Sequence, residues 1–536
     1  MSKVFRLLCF TTYVLNLAAN LSGAIAGVYN AASWAPPSLP NSGIAQGAMF
    51  TVYGSGLGPP TIQHAESYPL PTTQGLAGTT IQVTVGTVTE TCIMLYTVAT
   101  QAAAILPSAT PTGFGTLTLS YQGANSSITI QVVAAAFGTF TLNQGGTGPA
   151  VVTDTAFNPI TMVNAAHPGD TLILWGTGLG AGSGDETEPP QPVDLGTGVQ
   201  VFIENQPATV LYGGRGSSAG VDQINFVVPA GISGGCKTSI AVRVKGVVGN
   251  VASTSIAPAG QTTCGDTYGA LTAANLQEAL VKGFLNIATV DIYRFGTDDD
   301  ELTASFQNYP LSSLIQSYGG GPGPSIGSCV SYELQGSSLT VTDPTQAPYL
   351  DSGAALAITA PNGTKTIPES SAGSYLATLG ASSSVYIVPG AYSVSNGNGG
   401  ANVAAFNWSL TLPEPVRPTN LPASFSRSGD LTLTWSGGAS FPIVSIFGSS
   451  AVPLTSTQNS YVDFICHANG SAGEFTIPSV ILGLLPTNGY GSRGVPGVGL
   501  QIAGVSNGSF TVAGSPAIDV GIFGAFTSTG GIAKVQ

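Results

Sequence analysis

GAMFTVYGSGLGP (Gly47–Pro59) and GDTLILWGTGLGA (Gly169–Ala181) are near-copies offset by 122 residues. Both carry G-S/T-G-L-G, which is either a glycine loop that cradles phosphate or a turn in a fold used twice. The same offset lays TQAAAILP (Thr100–Pro107) on DQINFVVP (Asp222–Pro229), and a slightly smaller one lays TTIQVTVG (Thr79–Gly86) on TGVQVFIE (Thr197–Glu204). Matched landmarks in the same order mark a duplicated domain. The period is too long for a solenoid unit and suits a β-sandwich of about 100 residues with its loops.

Within each copy the apolar residues alternate. Ile81, Val83 and Val85 take one face of the first, and Leu117, Leu119 and Tyr121 repeat the pattern; Ile240, Val242 and Val244 do so in the second, with Arg243 and Lys245 on the wet side. Period-two runs between Gly, Pro and Asn clusters are antiparallel strands with one dry face, and two such sheets must bury those faces together. The fold class expected is all-β, with tandem immunoglobulin-like sandwiches. GTGLGA (Gly176–Ala181) does match G-x-G-x-x-A after a strand, but a dinucleotide site needs a helix to open there. GSGDETEPPQP follows instead, and Pro59 breaks the first copy. The motif reads as a turn.

These landmarks, with VYNAASW (Val28–Trp34) and SSITIQVVAAAFGTFTLNQGGTGPAVV (Ser126–Val152), resemble a family of large secreted acidobacterial proteins. They share the Solibacter-type uncharacterised C-terminal domain, and their tandem modules are similar to the IPT/TIG class of immunoglobulin-like domain. The resemblance runs from Val28 to Gly265 and more weakly beyond, with Cys236 and Cys264 at cysteine positions of the family. Some relatives carry adjacent cysteines where this chain has Ser217 and Ser218, so any chemistry of those thiols is absent here. The resemblance implies a fold and an exported location, and supplies no catalytic residue.

Composition agrees with export. Of 536 residues only 7% are charged, against about 25% in an ordinary soluble protein, while 72 glycines and 36 prolines indicate many turns. A net charge of −13 without any Lys/Arg cluster argues against nucleic acid as partner. Lys3 and Arg6 precede LLCFTTYVLNLAA, and AIA at Ala24–Ala26 fits a small-residue cleavage site. Residues 1–26 are therefore expected to be a signal peptide, leaving no transmembrane helix after cleavage. Cys92, Cys236, Cys264, Cys329 and Cys466 remain. In an oxidising compartment the pairs expected are Cys236–Cys264 and Cys329–Cys466, with Cys92 a buried thiol. No C-x-x-C or Cys/His spacing suggests zinc.

The domain reading that follows is sandwich 1 at 27–142, sandwich 2 at 143–260, a linker with short helices at 261–328, a third β-domain at 329–418 and a fourth at 419–536. In the linker, LTAANLQEALVKGF (Leu271–Phe284) has helical spacing. TDDDELTASFQNY reads as a second short helix, with Asp298 and Glu301 as a capping box. Calcium at Asp298, Asp299, Asp300 and Glu301 is the alternative, although the D-x-D-x-D-G spacing is missing; otherwise no cofactor or metal is expected. Asp185, Glu186 and Glu188 read as a solvated turn.

Catalytic motifs are few. GSSAG (Gly216), GISGG (Gly231) and GPSIG (Gly323) match G-x-S-x-G without the strand–turn–helix of a nucleophile elbow. His64, His167 and His467 have no nucleophile or carboxylate at recognisable spacing. Glu333, Asp351, Asp430, Asp463, Glu474 and Asp519 are scattered. The function expected is an exported non-catalytic surface or adhesion component with an extracellular protein or polysaccharide as partner. The alternative is a polysaccharide-active enzyme with its site in residues 260–536, identifiable by two converging carboxyl groups.

Overall fold

The strands that the repeat announces are present, and they fit together in the same way twice. The computed structural model describes residues 23–266, 271–296, 299–317, 323–336, 347–381, 383–456, 458–491, 494–512 and 517–536. Residues 1–22 of the expected signal peptide, and Asp298 of the acidic run, lie outside these. Ala24–Ala26, the expected cleavage site, opens the strand Ala24–Asn30.

One sheet of the first sandwich runs, in spatial order, Ala24–Asn30, Met49–Ser55, Gln101–Ile105, Ile93–Val98, Gln63–His64. The other runs Ile44–Ala45, Ala124–Val133, Gly113–Tyr121, Thr79–Val85, Val88–Thr91. Phe50, Val52, Ile81, Val83, Met94 and Leu117 meet between them. In this copy Met49 lies opposite Ile105 and Tyr53 opposite Gln101; in the second, Thr171 lies opposite Val227 and Trp175 opposite Gln223. The 122-residue offset thus holds in the strand register, residue for residue. The next strand carries the same bulge in both copies. Pairing skips Leu95 between Met94 and Tyr96 in the first, and Leu211 between Val210 and Tyr212 in the second. A bulge re-aims the side chains beyond it, so its retention keeps Tyr96 and Tyr212 in matching places.

The copies differ where the chain crosses between sheets. In the second, Gln206–Arg215 is one strand. Its first residues pair with Val199–Ile203 and the rest with Asp222–Val227, joining both sheets edge to edge. In the first the chain breaks at Cys92, between Val88–Thr91 and Ile93–Val98. The Cys92 thiol is fully buried there, and burial pushes its pKa up.

Beyond residue 260 the expected division changes. The first linker helix is present at Ala273–Lys282, with Thr272 capping Asn275 and Gly283 closing it at φ +81°. TDDDELTASFQNY is not a helix: Asp300–Pro310 is a strand. Its residues Leu302, Ala304 and Phe306 are buried at period two, and it is paired on both sides, by Phe284–Arg294 and Ser374–Gly380. Two sheet partners outweigh the acidic residues that mimic a helix start. These strands enter a sheet ordered Cys329–Gln335, Asn459–Asn469, Ile443–Pro453, Val498–Val512, Ile518–Val535, Phe284–Arg294, Asp300–Pro310, Ser374–Gly380, with Ser424–Phe425 beside Ile518–Val535. The expected linker, third domain and fourth domain therefore share one sheet, and neither 328/329 nor 418/419 divides it. Sequence alternation shows which residues are strands, but not which distant strand each pairs with.

A second sheet, Gly363–Pro368, Ala355–Ala360, Gly390–Ser395, Asn407–Leu412, covers one face of the large one. Trp408 fastens it: its indole stacks on Phe406 at 4.2 Å and on Phe510 at 5.3 Å and is 3% exposed. Trp408→Ala is expected to lower the unfolding free energy by about 3–5 kcal/mol. Urea titration followed by fluorescence checks this, and an unchanged midpoint contradicts it.

Candidate functional site

The glycine turn is an anion cradle after all, but its anion is internal. In the second copy the N–H groups of Gly178 and Leu179 each donate to Asp222 Oδ2 at 2.8 Å. Gly178 achieves this at φ +109°, and a Cβ there would lie 2.2 Å from the Ala136 carbonyl oxygen. Leu179 fills the sandwich core, as Leu57 does in the first copy. There Thr100 occupies the place of Asp222, and the Leu57 N–H goes to the Ala99 carbonyl instead (2.9 Å).

Asp222 also holds Arg215, and both are buried. Arg215 donates to the Gly180 carbonyl at 2.8 Å and lies 3.7 Å from Glu186. Glu186 accepts from the N–H (2.7 Å) and hydroxyl (2.8 Å) of Ser108 in the first sandwich. Glu186 therefore belongs to the joint between sandwiches, where a solvated turn was expected; Asp185 does stay at the surface, accepting from Thr187. Asn30 of VYNAASW reinforces the joint by donating to the carbonyls of Ala136 and Thr177. Spacing does not announce this cluster; the only signal is that Asp222 and Arg215 depart from the repeat. Removing one partner of a buried pair leaves the other charge uncompensated. Asp222→Asn is expected to cost about 3–5 kcal/mol, read as a lower denaturant midpoint.

A second polar cluster joins the second sandwich to the large sheet. Cys236 is bonded to Cys264 and Cys329 to Cys466, the latter directly opposite each other on paired strands. Between the bridges the Asp266 carboxylate accepts from the Cys236 N–H (3.1 Å) and from the Ser325 hydroxyl (2.6 Å), while the Lys237 N–H donates to Ser325 Oγ (3.0 Å). Ser325 is the serine of GPSIG, and the His467 ring packs against Gly323 of the same loop. A serine, an aspartate and a histidine thus meet here, though not as a triad. The serine gives its proton to the carboxylate, where a nucleophile would give it to the imidazole. Ser325 and His467 are each only 4% exposed, and burial, with Lys237 nearby, holds the His467 pKa down at about 4, far from that of a base working near neutrality.

The remaining sequence candidates are dispersed. His167 turns Nδ1 to Asp170 (3.2 Å) and Nε2 to the Gln261 carbonyl (2.8 Å); His64 lies at the surface beside Tyr96. Asp351 accepts from Gly353 N–H, Asp430 from Ser479 N–H, and Asp519 from Lys282 Nζ and Asn286 N–H, each at 2.7–2.8 Å. Glu474 is exposed on its strand, and burial pushes the Asp463 carboxyl up. In the acidic run, Asp300 is ion-paired with Arg294 and accepts from the N–H groups of Tyr386 and Ile387, while Glu301 accepts from the Tyr293 hydroxyl. Among the described residues no group of three or more His, Cys, Asp or Glu is gathered for a metal. A cavity of about 180 Å³ lies over Arg294, walled by Ile387, Val388, Leu412 and Ser528, but Asp300 already neutralises its one charge.

Glu333 has a different setting. Its carboxyl is buried against Asn41 from the first sandwich's leading loop, accepting Nδ2–H at 3.2 Å, with Oε2 unpartnered. Burial pushes its pKa up to about 7. A carboxyl raised in the folded state binds its proton more tightly there, so stability falls as pH rises from the unfolded value, about 4.3, through 7. Glu333→Gln is expected to remove that loss, gaining up to about 2–3 kcal/mol over the parent at pH 8 and little at pH 5. Melting curves at both pH values decide it; parallel pH profiles would contradict it.

No family model and no curated protein matches the chain. Among solved structures it is similar to titin domains A168–A170 at 8% identity, over 70% of this chain and 91% of that one, TM-score 0.15. The Bacteroides ovatus mixed-linkage glucan utilization locus SGBP-B, in complex with a mixed-linkage heptasaccharide, matches at 10% identity over 86% and 92%, TM-score 0.13. The S-layer protein rSbsC(31-844) matches at 9% over 95% and 55%, TM-score 0.19. At such identities and scores these likenesses carry no functional weight.

Proposed function

We propose that the chain is an exported, non-catalytic binding and scaffold protein of the cell surface or extracellular space, a member of the secreted acidobacterial family that its landmarks resemble. One observation carries this reading. Four carboxylates that hydrolytic chemistry could use are already committed to internal partners: Asp222 to Arg215, Asp266 to Ser325, Asp519 to Lys282 and Asp300 to Arg294. A carboxylate bonded in this way is fixed and partly neutralised, whereas a general acid or nucleophile must reach a substrate atom. Two disulfides support the extracellular side of the reading, since such bonds persist in oxidising compartments. The scarcity of charge suits contact with a neutral partner.

The test is a pull-down of the chain from Gly27 onward on insoluble polysaccharides, with the supernatant assayed for released sugar. Binding without release is the expected result. Release of sugar would overturn the reading in favour of the polysaccharide-active enzyme.

A further inference from the structure

The outward face of one sheet in each sandwich carries rings where a wet face ordinarily carries small polar groups. In the first sandwich Phe50, Val52, Ala102, Ala104 and Met94 point into the core, so Tyr53 and Gln101 point out by alternation, and the bulge at Leu95 brings Tyr96 to the same side. Tyr53 and Tyr96 stand on strands with one other between them, about 10 Å apart at the backbone. Gln101 lies in the gap and donates Nε2–H to both phenol oxygens, at 3.1 Å to Tyr53. Tyr29 and Trp34 extend the row on one side, with ring centres 6.1 and 5.3 Å from Tyr53, and His64 extends it on the other, 5.9 Å from Tyr96. All of these rings are partly or largely exposed.

The second sandwich repeats the positions but not the bonds: there Gln223 donates to Asn225 Oδ1, Tyr212 to the Val193 and Arg215 carbonyls, and Trp175 to the Thr153 hydroxyl. Trp175 stands at the place of Tyr53, Gln223 at that of Gln101, and Tyr212, behind the matching bulge, at that of Tyr96. Phe157, 47% exposed, lies 6.2 Å from Trp175. Neighbouring positions on the same face have diverged beneath the rings: buried Thr51 is replaced by buried Ile173, and buried Ala103 by Asn225. What is common to both copies is aromatic, amide, aromatic. Cross-strand ring packing alone stabilises a sheet, but it needs neither the retained amide nor exposed rings.

Resting on the binding role proposed above, we infer that these two faces are glycan-binding platforms, Tyr53–Gln101–Tyr96 and Trp175–Gln223–Tyr212, for a neutral hexopyranose polysaccharide. Ring faces give large amphipathic contact area at low entropic cost and take the C–H face of a pyranose, while the glutamine carbonyl oxygens, whose N–H groups already serve protein partners, accept from its hydroxyls. Charge selects the occupant. Neither triad contains an ionised group, and a chain of net charge −13 repels polyuronates at low ionic strength. Two separate platforms on one chain add avidity for a polymer long enough to reach both.

Affinity electrophoresis of the folded chain from Gly27 onward, through gels containing hydroxyethylcellulose, mixed-linkage β-glucan or polygalacturonate, tests the assignment. Retardation is expected in the neutral gels and not in polygalacturonate. Tyr53→Ala with Trp175→Ala should weaken it at least about tenfold, the scale of central aromatic contacts. Tyr53→Phe, which keeps the ring, should retain binding, as should Phe114→Ala, an exposed phenylalanine on the opposite sheet. Undiminished retardation of the double variant would overturn the platforms while leaving the binding role intact. Failure of the parent chain in both neutral glycans, or preference for polygalacturonate, would overturn the ligand class. Release of sugar would instead overturn the non-catalytic reading itself.

Discussion

The Asp222 carboxylate is the constraint on which the arrangement of the first half depends. It opens a strand of the second sandwich, accepts two amides of the glycine turn and fixes Arg215. Arg215 lies beside Glu186, which in turn holds Ser108 of the first sandwich. Four side chains thus translate a turn within one module into the orientation of its neighbour. Such clusters are costly to bury unless nearly every lone pair and proton is used; here the turn supplies amides, the Gly180 carbonyl takes one guanidinium hydrogen, and the serine completes the far end.

The same economy governs the second joint. Disulfide, carboxylate, hydroxyl and backbone amide are interlocked around Asp266 and Ser325, so a serine in a G-x-S-x-G pattern and a neighbouring histidine become packing elements. The distinction between a triad and a joint rests on where one proton points and whether water can enter. Ser325 donating to Asp266, with His467 buried, places this cluster on the structural side.

What could be read from the sequence, and what could not, divides along chain distance. The repeat at Gly47 and Gly169 carried the register of Met49 with Ile105 and of Thr171 with Val227, because a duplicated sequence preserves local alternation and turn position together. The helical spacing within Leu271–Phe284 located the helix Ala273–Lys282 for the same reason: its period and its caps, Thr272 and Gly283, are local. Asp300–Pro310 was misread because its opening acids satisfy a helix-start rule, while its true determinant is pairing with Ser374–Gly380 some seventy residues on. The ring–amide–ring triads were within reach, since Tyr53/Trp175 and Gln101/Gln223 fall at the repeat offset. Tyr96 and Tyr212 needed the shared bulge to be recognised first. Glu186 and Glu333 had no sequence signal, as their partners come from other modules.

The large sheet also sets an order of events during synthesis. Its centre is the parallel pairing of Phe284–Arg294 with Ile518–Val535, strands more than 200 residues apart. Contacts of such separation form late and slowly. Each N-terminal sandwich closes from strands near one another in the chain and is complete while the rest is still emerging. Until Ile518–Val535 arrives, Phe284–Arg294 has an unpaired edge, the kind of edge on which unfinished chains aggregate. Ile518–Val535 is therefore the keystone of the large sheet, and a chain released before that strand is made would consist of two folded sandwiches trailing an open sheet.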